Sequence, residues 1–320
     1  MHVFASDKRN VKKMYDLIGD IHGHADELEQ LLRELGYCRE SGVYRHPERK
    51  VIFLGDFIDR GPKISEVLAI ARGMVESGNA LAVMGNHELN AMAYHTRDPN
   101  APGEFLRRHN EKNERQHHQT VRQLSPGDLR SHLAWFRTLP MWLDLPELRV
   151  VHACWDAESM QAIMQAGGAA TEIMDEFLFA ACKPRESLFF ATEIVLKGKE
   201  IPLPAGIYYR DKDGHERVHV RTRWYLPAEG KTYRTYSFQS DEVDCDEAIP
   251  RDIVGAAIPY PADAKPVFIG HYWLRAFEPS LLVDNVVCLD YSVANGGFLC
   301  AYRWNGDSRL DRENLVWVPA

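Results

Sequence analysis

The fold of this chain is constrained most by three short apolar runs near the N-terminus, each of which ends in a glycine and a polar side chain. They occupy residues 15–20, 51–56 and 81–86. Apolar runs of this length bounded by glycine are typical of buried strands. Helical patterns at about 25–35 and 64–75 separate them. The order predicts a βαβαβ unit, in which functional side chains follow the carboxyl ends of the strands.

The polar clusters at these ends contain side chains that bind metals. They read GDIHG at 19–23, GDFIDRG at 55–61 and GNHE at 85–88, and two further histidines follow predicted strands, at 152 and 271. Carboxylates mixed with imidazoles suit Mn, Fe or Zn better than Ca or a cysteine-lined structural zinc. A carboxylate has two oxygens and can bridge two cations. The sequence therefore predicts a metal site assembled from several strand ends.

In this order, the motifs GDxHG, GDxxDRG and GNHE, followed by two separate histidines, resemble those of the calcineurin-like metallophosphoesterases. The resemblance is greatest to the branch of Ser/Thr protein phosphatases and symmetrical diadenosine tetraphosphate hydrolases. Residues 135–140 and the hairpin expected at 287–303 fit that branch, as does Trp273, where distant relatives have a histidine. The resemblance implies an α/β fold, a four-layer αββα sandwich with two central mixed β-sheets.

The resemblance also implies a dinuclear centre that hydrolyses phosphate esters or anhydrides by attack of a metal-bound hydroxide. Two divalent ions such as Mn, Fe or Zn are expected. Their ligands, carried over by motif position, are Asp20 and His22 for the first metal, Asp56 as the bridge, and Asn86, His152 and His271 for the second metal.

Catalytic and substrate-binding residues follow from the same resemblance. His87 is the expected proton donor to the leaving group, and Asp59 is expected to hold it in place. Arg60 is expected to bind the phosphoryl oxygens as a planar charged fork. Asn86 is expected to contact substrate as well as metal. A further arginine is expected from the segment at 219–225, which supplies Arg221 and Arg223 without distinguishing between them.

The chain as a whole is expected to form one metallophosphoesterase domain over residues 1–320, with insertions at about 95–130 and 156–265. Residues 88–140 are predicted to be helical. The polar run at 106–118 is interpreted as a solvated helix face, or alternatively as a lid that recognises substrate. Late strands are expected at 266–271, 281–284, 286–292 and 297–304. The histidines outside the motifs are expected at the surface: His95, His109, His117, His118, His132, His215 and His219.

Composition restricts the partners. The net charge of -8 argues against a general affinity for nucleic-acid backbone. No run approaches the roughly 20 apolar residues of a membrane span, and the N-terminus lacks the apolar region of a secretory signal. The six cysteines are scattered, which favours free thiols in a reducing compartment. We therefore expect a cytoplasmic protein without a membrane partner.

Several functions remain in competition. The expected substrates are a phosphorylated small molecule, a nucleotide or a phosphoprotein. The segment with Arg221 and Arg223 and the closing hairpin favour a diadenosine tetraphosphatase-like activity over a Ser/Thr protein phosphatase. A non-catalytic metal-binding scaffold is the alternative of another class, although no expected ligand is missing. A kinase or ATPase would need GxxxxGK[ST], and a dehydrogenase GxGxxG, and neither motif occurs.

Overall fold

The computed structural model describes residues 14–168, 172–210 and 214–320. Its α-helices are α1 (Ala25–Glu34), α2 (Ile64–Glu76), α3 (Asn86–His95), α4 (Glu111–Gln123), α5 (Pro126–Arg137), α6 (Ala157–Gln165), α7 (Asp175–Ala181), α8 (Ser187–Lys197), α9 (Tyr233–Tyr236) and α10 (Arg251–Ala256). Short 3-10 helices span Val293–Asn295 and Arg312–Asn314. In the described part of the chain, no helix combines the length and apolarity needed to cross a bilayer.

The strands are β1 (Met14–Ile18), β2 (Cys38–Glu40), β3 (Val43–Arg45), β4 (Arg49–Phe53), β5 (Ala80–Ala82), β6 (Trp142–Asp144), β7 (Arg149–Val151), β8 (Glu200–Pro202), β9 (Tyr209–Arg210), β10 (Glu216–Arg217), β11 (His219–Arg221), β12 (Val267–Ile269), β13 (Val286–Cys288), β14 (Asp290–Tyr291), β15 (Phe298–Trp304) and β16 (Leu315–Pro319).

Two of the sheets are mixed and form the centre of the fold. The first has the order β14-β15-β1-β4-β5, and β16 also pairs with β15. In it β1, β4 and β5 are parallel, whereas β15 runs antiparallel to β1. The second has the order β13-β12-β7-β6, in which only the β6–β7 pair is antiparallel. Both sheets were expected from the resemblance, and this part of the prediction is confirmed.

Alternation along the strands explains the layers. Ile52 in β4 and Phe268 in β12 belong to one buried cluster that lies between the two sheets. Their neighbours Val51, Phe53 and Ile269 face the other way, into a cluster shared with the buried faces of the helices. Successive side chains of a strand point to opposite faces, so each sheet buries one face on the other sheet and one on helices. The result is the expected four-layer αββα arrangement.

Most of the predicted strands and helices of the motif region lie where the sequence placed them. The strand predicted at 281–284 is wrong: there the chain makes an isolated bridge between Val283 and Val286. The hairpin predicted at 287–303 is present, because β14 and β15 pair antiparallel and Gly296 takes the left-handed conformation at φ 75°. The region at 201–257 adds a separate apolar cluster that includes Val220, Tyr233 and Tyr236.

A buried ion pair joins β1 to its neighbours, at the end of the strand away from the motifs. Asp16 is 0% exposed and accepts a hydrogen bond from Arg49 Nε at 2.9 Å. The same guanidinium donates to the carbonyl oxygens of Tyr15 and Trp304, at 2.8 and 3.0 Å. Arg49 thereby links β1, β4 and β15.

We expect Arg49→Met to lower the free energy of unfolding by about 3–5 kcal/mol, because it leaves the Asp16 carboxylate buried without its main counter-charge. Urea unfolding followed by circular dichroism measures this. The double variant Arg49→Met/Asp16→Leu should recover much of the loss, since it removes both charges. An unchanged unfolding midpoint in the single variant would contradict this account of the pair.

Candidate metal centre

The candidate site lies where strands of both central sheets end. The first sheet brings Asp20, Asp56 and Asn86 to its edge, since they follow β1, β4 and β5 within two to four residues. The second sheet contributes His152, directly after β7, and His271, two residues after β12. All five side chains are buried. Residues up to 251 positions apart in sequence therefore meet at one place.

The backbone at this place is unusual. Of the nine non-glycine residues with positive φ in the described part of the chain, six belong to or adjoin the motifs. These are His22, Asp56, Asp59, Arg60, His271 and Trp273, with φ between 48° and 71°. Each such conformation costs on the order of 1–3 kcal/mol, and residues of this kind cluster at functional sites.

Asp56 is the centre of the cluster. Its Oδ2 atom lies 3.6 Å from His22 Nε2, 3.9 Å from His87 Nε2 and 3.4 Å from His152 Nε2. These separations are too long for good hydrogen bonds. Donor atoms bound to one ion at about 2.1 Å lie roughly 3–3.5 Å apart, which is close to the observed spacing. The arrangement is that of ligands rather than of a hydrogen-bonded network.

Two groups of side chains share Asp56. The first group consists of His22, Asp56 and His87, and the second consists of Asp56, His152 and His271. Within each group the ligand atoms lie within 4.8 Å of one another. These groups could each hold a metal ion. Asn86 adjoins the second group, because its Oδ1 lies 3.3 Å from His152 Nε2.

Backbone carbonyl groups orient two of these imidazoles. His22 Nδ1 donates to the Ile58 carbonyl at 2.9 Å, and His152 Nδ1 donates to the Leu54 carbonyl at 2.7 Å. A carbonyl oxygen only accepts, so the hydrogen must sit on Nδ1, and Nε2 of each ring then faces the site. Metal-binding histidines typically have this arrangement.

Unsatisfied buried atoms show that the residues fit metal ions. His22 Nε2 and both ring nitrogens of His271 are buried without a hydrogen-bond partner among the described residues. Each buried polar atom left in this way costs about 1–3 kcal/mol. Next to them, His152 Nε2, Asn86 Oδ1 and Asp56 Oδ2 converge without a donor of their own, apart from a proton on His152. A cation would satisfy all of these atoms.

The charges lead to the same conclusion. Burial and the nearby Asp290 carboxylate raise the pKa of Asp20 well above its usual value, and burial with Asp56 raises the pKa of Glu88 to about 7. Burial opposes a charge on His152, but the Asp56 and Asp20 carboxylates outweigh it and raise its pKa to about 10. The site thus has an excess of buried negative charge, which divalent cations would neutralise while displacing the His152 proton.

Two of the histidines stay neutral. Burial and, as a smaller contribution, the charge of His87 lower the pKa of His22 to about 3. Burial and, as a smaller contribution, the charge of Arg221 lower the pKa of His271 well below its usual value. A neutral imidazole is the form that binds a metal, so both rings are ready to act as ligands.

Asp20 lies beside these groups rather than within either. Its carboxylate accepts from the His271 backbone N–H, at 3.1 Å for Oδ2. Gly270 makes this approach possible, because a Cβ there would lie 2.1 Å from Asp20 Oδ1. Gly85 does the same for Asp56, whose Oδ1 would lie 2.1 Å from a Cβ. The motif glycines therefore make room for the carboxylates.

His87 and Asp59 form a buried pair. His87 Nδ1 lies 2.6 Å from Asp59 Oδ2, and the His87 backbone N–H donates to Asp56 Oδ1 at 2.9 Å. Burial raises the pKa of Asp59, but hydrogen bonds from His117 and His87 outweigh it and lower that pKa well below its usual value. Asp59 therefore stays ionised and orients the His87 ring. The same ring faces Asp56 and His22, with which it forms the first group.

The three candidate arginines differ in position. The guanidinium of Arg60 stacks on Trp273, with its central carbon 4.3 Å from the ring centroid. Arg221 lies close enough to His271 to lower its pKa, and its Nε is 3.7 Å from Glu200 Oε1. The Arg223 side chain is directed to Ser240 Oγ, at 3.5 Å. The structure thus brings Arg60 and Arg221 to the site.

Glu88 has a role that the motif alone did not reveal. Its Oε2 accepts from the backbone N–H groups of Asp56 and Gly85, and its Oε1 accepts from that of Phe57, each at 2.9 Å. Glu88 therefore holds the loop after β4 against the start of α3. The signal was its position in the GNHE sequence, but two of its three partners, Asp56 and Phe57, come from the loop after β4.

His117 is the main correction to the sequence analysis, which placed it at the surface. It is only 4% exposed, and its Nδ1 lies 2.8 Å from Asp59 Oδ1. The polar run around it hid a buried helix face formed by His117, Thr120 and Leu124. Their spacing of three and four residues is the periodic signal that could have found this face.

Comparison with known proteins agrees with the geometry. Residues 15–153 match the family model of the calcineurin-like phosphoesterases. An asymmetrical bis(5'-nucleosyl)-tetraphosphatase of Bacillus subtilis is 47% identical over 74 residues, which is 23% of this chain and 30% of that protein. The match thus spans less than a third of that relative. A symmetrical bis(5'-nucleosyl)-tetraphosphatase of Vibrio campbellii is 24% identical over 93% of this chain and 98% of its own.

A solved structure of a mutant cold-active protein tyrosine phosphatase shares the fold. Its TM-score is 0.50 at 16% identity, over 93% of this chain and 80% of that chain. The family match covers all the motifs up to His152. Over residues 15–153 this chain is therefore similar to the calcineurin-like phosphoesterases.

Proposed function

We propose that this protein is a dinuclear metal-dependent phosphoesterase that hydrolyses phosphate monoesters or nucleotide phosphoanhydrides, with dinucleoside polyphosphates as the favoured substrates. The observation that carries the proposal is Asp56 Oδ2, which lies between two groups of imidazole nitrogens. A carboxylate in this position is suited to bridge two cations. We further propose that residues 1–320 act as one domain with insertions at about 95–130 and 156–265.

In this proposal the first cation is held by Asp20, His22 and Asp56. The second cation is held by Asp56, Asn86, His152 and His271. The carboxylate, amide and imidazole ligands suit divalent ions such as Mn, Fe or Zn. When bound, such ions neutralise phosphoryl oxygens and lower the pKa of a water. The chain's own contribution is to hold the ligand atoms with their lone pairs directed inward, as the carbonyl contacts of the histidines do.

His87 has the position of a general acid. Asp59 fixes Nδ1, so Nε2 faces the site, where a proton can pass to the leaving oxygen. Proton donation of this kind contributes about 10²–10⁴-fold to a rate. His87 also adjoins His22 and Asp56, and a role as a ligand is the alternative, which metal analysis of a His87 variant distinguishes.

The positive charge of two arginines favours the binding of an anionic substrate. Arg60 stacks on Trp273 with its Nε buried and without a hydrogen-bond partner among the described residues. Arg221 approaches from the side of His271. We propose that Arg60 binds the phosphoryl group that is attacked, that Asn86 assists it, and that Arg221, rather than Arg223, contacts the remainder of the substrate.

The side of the leaving group also bears positive charge. Arg107 donates to Asn90 Oδ1 at 2.8 Å and to Gln116 Oε1 at 2.9 Å. Gln116 Nε2 in turn lies 3.5 Å from His87 Nε2. Arg107 has no carboxylate within 4.0 Å among the described residues. A guanidinium connected to the proton donor through Gln116 favours a leaving group that carries phosphate over the neutral side chain of serine or threonine.

A substrate comparison tests the proposal. Metal-reconstituted protein is assayed with diadenosine tetraphosphate, a phosphoserine peptide and p-nitrophenyl phosphate. We expect kcat/KM for the dinucleotide to exceed that for the peptide by about 100-fold, because charged hydrogen bonds contribute about 1.5–3 kcal/mol each. A preference for the peptide would favour the protein phosphatase alternative. Two bound metals without hydrolysis of any substrate would favour the non-catalytic scaffold.

A further inference from the structure

Helix α4 holds Asp59 through both its main chain and its side chain. The Asp59 backbone N–H donates to Thr120 Oγ1 at 3.0 Å, and the Thr120 hydroxyl donates to Asp59 Oδ1 at 2.5 Å. His117, one turn earlier on the same face, places Nδ1 2.8 Å from the same carboxylate oxygen. All three side chains are buried. The polar run at 106–118, interpreted from the sequence as a solvated helix face or as a lid, thus contributes His117 to the site.

The Asp59 carboxylate has an imidazole on each of its oxygens. His87 Nδ1 lies 2.6 Å from Oδ2, and His117 Nδ1 lies 2.8 Å from Oδ1. An ionised carboxylate only accepts hydrogen bonds, so both rings carry a hydrogen on Nδ1. With Oδ1 held by His117 and Thr120, rotation of the carboxylate is restricted, and Oδ2 stays directed at His87.

The His117 ring is itself fixed from its other side. Its Nε2 lies 3.1 Å from His95 Nε2, so one of the two nitrogens donates to the other. The Tyr94 ring packs against it, with centroids 5.2 Å apart. His117 is therefore held at both nitrogens, as a residue needs to be if it is to orient another side chain.

We propose that His117 is a positioning residue for the His87–Asp59 pair: by its bond to Asp59 Oδ1 it keeps Oδ2 on His87 Nδ1 and so keeps His87 Nε2 directed at the leaving group. The catalytic part of this inference rests on the proposed function. The positional part does not, since it concerns the hydrogen bond between His87 and Asp59. The two parts can be tested separately.

Two amide substitutions provide a matched pair. In His117→Asn the side-chain NH₂ takes the position of Nδ1 and can still donate to Asp59. In His117→Gln it takes the position of Nε2, toward His95, and cannot reach the carboxylate. The two variants are similar in polarity, so a difference between them reports the bond to Asp59. His117→Ala removes both contacts.

The first measurement is independent of turnover. Nitrogen-15 NMR of the His87 ring, in protein loaded with the diamagnetic ion Zn²⁺, reports whether Nδ1 carries a protected hydrogen. We expect this signal in the wild type and in His117→Asn, and its loss or rapid exchange in His117→Gln. Equal signals in Asn and Gln variants would overturn the inference, whether or not the protein hydrolyses any phosphoester.

The second measurement is kcat for aryl and alkyl phosphates with leaving groups of graded pKa. Loss of an outer contact of this kind typically costs about 10–100-fold. With alkyl phosphates we expect that loss of kcat in His117→Gln and His117→Ala. With p-nitrophenyl phosphate the same two variants should lose little. The kcat of His117→Asn should stay within about 3-fold of wild type. Uniform losses for all leaving groups, or an Asn variant no better than Gln, would overturn the inference. A wild-type protein that is inactive with all substrates would instead contradict the proposed function.

Discussion

Replacing Asp56 by asparagine is expected to lower kcat/KM by about 10³-fold or more. Asparagine keeps the shape of the side chain but lacks the charge that three imidazoles face at 3.4–3.9 Å. Ions in such sites supply several kcal/mol of charge stabilisation in the transition state, and about 1.4 kcal/mol corresponds to a tenfold rate change. The measurement is steady-state hydrolysis by protein reconstituted with Mn²⁺.

The loss of activity in Asp56→Asn should coincide with a loss of bound metal. We expect the metal content of Asp56→Asn, measured by elemental analysis after dialysis, to fall below that of the wild type. Asp263→Asn, at an exposed position away from the site, is the matched control and should behave as wild type. Activity within tenfold of wild type in Asp56→Asn would contradict the role given to Asp56.

Replacing His87 by alanine is expected to lower kcat by about 10²–10⁴-fold for substrates with poor leaving groups. A good leaving group such as p-nitrophenolate needs little protonation, so its hydrolysis should suffer much less. The physical reason is the position of His87, whose Nδ1 is fixed by Asp59 at 2.6 Å while Nε2 faces the site. The slope of log kcat against leaving-group pKa measures the difference.

Metal content separates the two roles open to His87. As a proton donor it can be removed without loss of metal, whereas removal of a ligand would lower the metal content. We expect His87→Ala to keep its metals. His118→Ala, a substitution of the same kind at an exposed position of α4, is the control. Equal losses for good and poor leaving groups would count against proton donation.

The layered fold was predictable because its signals are local. Apolar runs ending in glycine indicated β1, β4 and β5, and helical periodicity between them indicated α1 and α2. Strand assignment failed at 281–284, where an apolar segment of the right length makes an isolated bridge between Val283 and Val286. Pairing depends on what lies alongside in space, and a short apolar run does not contain that information.

The site was predictable to the extent that motifs describe it. Their order placed Asp20, Asp56, Asn86, His152 and His271 together, and the structure brings these residues to one place. The hydrogen bonds that hold these residues in place were not predictable from the sequence. Glu88 and His117 act on residues of other elements through bonds of 2.8–2.9 Å, and only the fold reveals such partners.

The preference for Arg221 over Arg223 also needed the structure. The two are separated by one residue, so a continuous strand would place both on the same face and the sequence does not distinguish them. In the structure β11 ends at Arg221, before Arg223. In the structure the charge of Arg221 acts on His271, whereas Arg223 is directed to Ser240.

The proposed function requires that Asp56 lie between two cations. The most direct test is anomalous diffraction from crystals grown with Mn²⁺ and measured near the manganese absorption edge. The account predicts two anomalous peaks, one beside His22 and one beside His152 and His271, with an Asp56 oxygen in contact with both. A single peak, or peaks that do not contact Asp56, would contradict it.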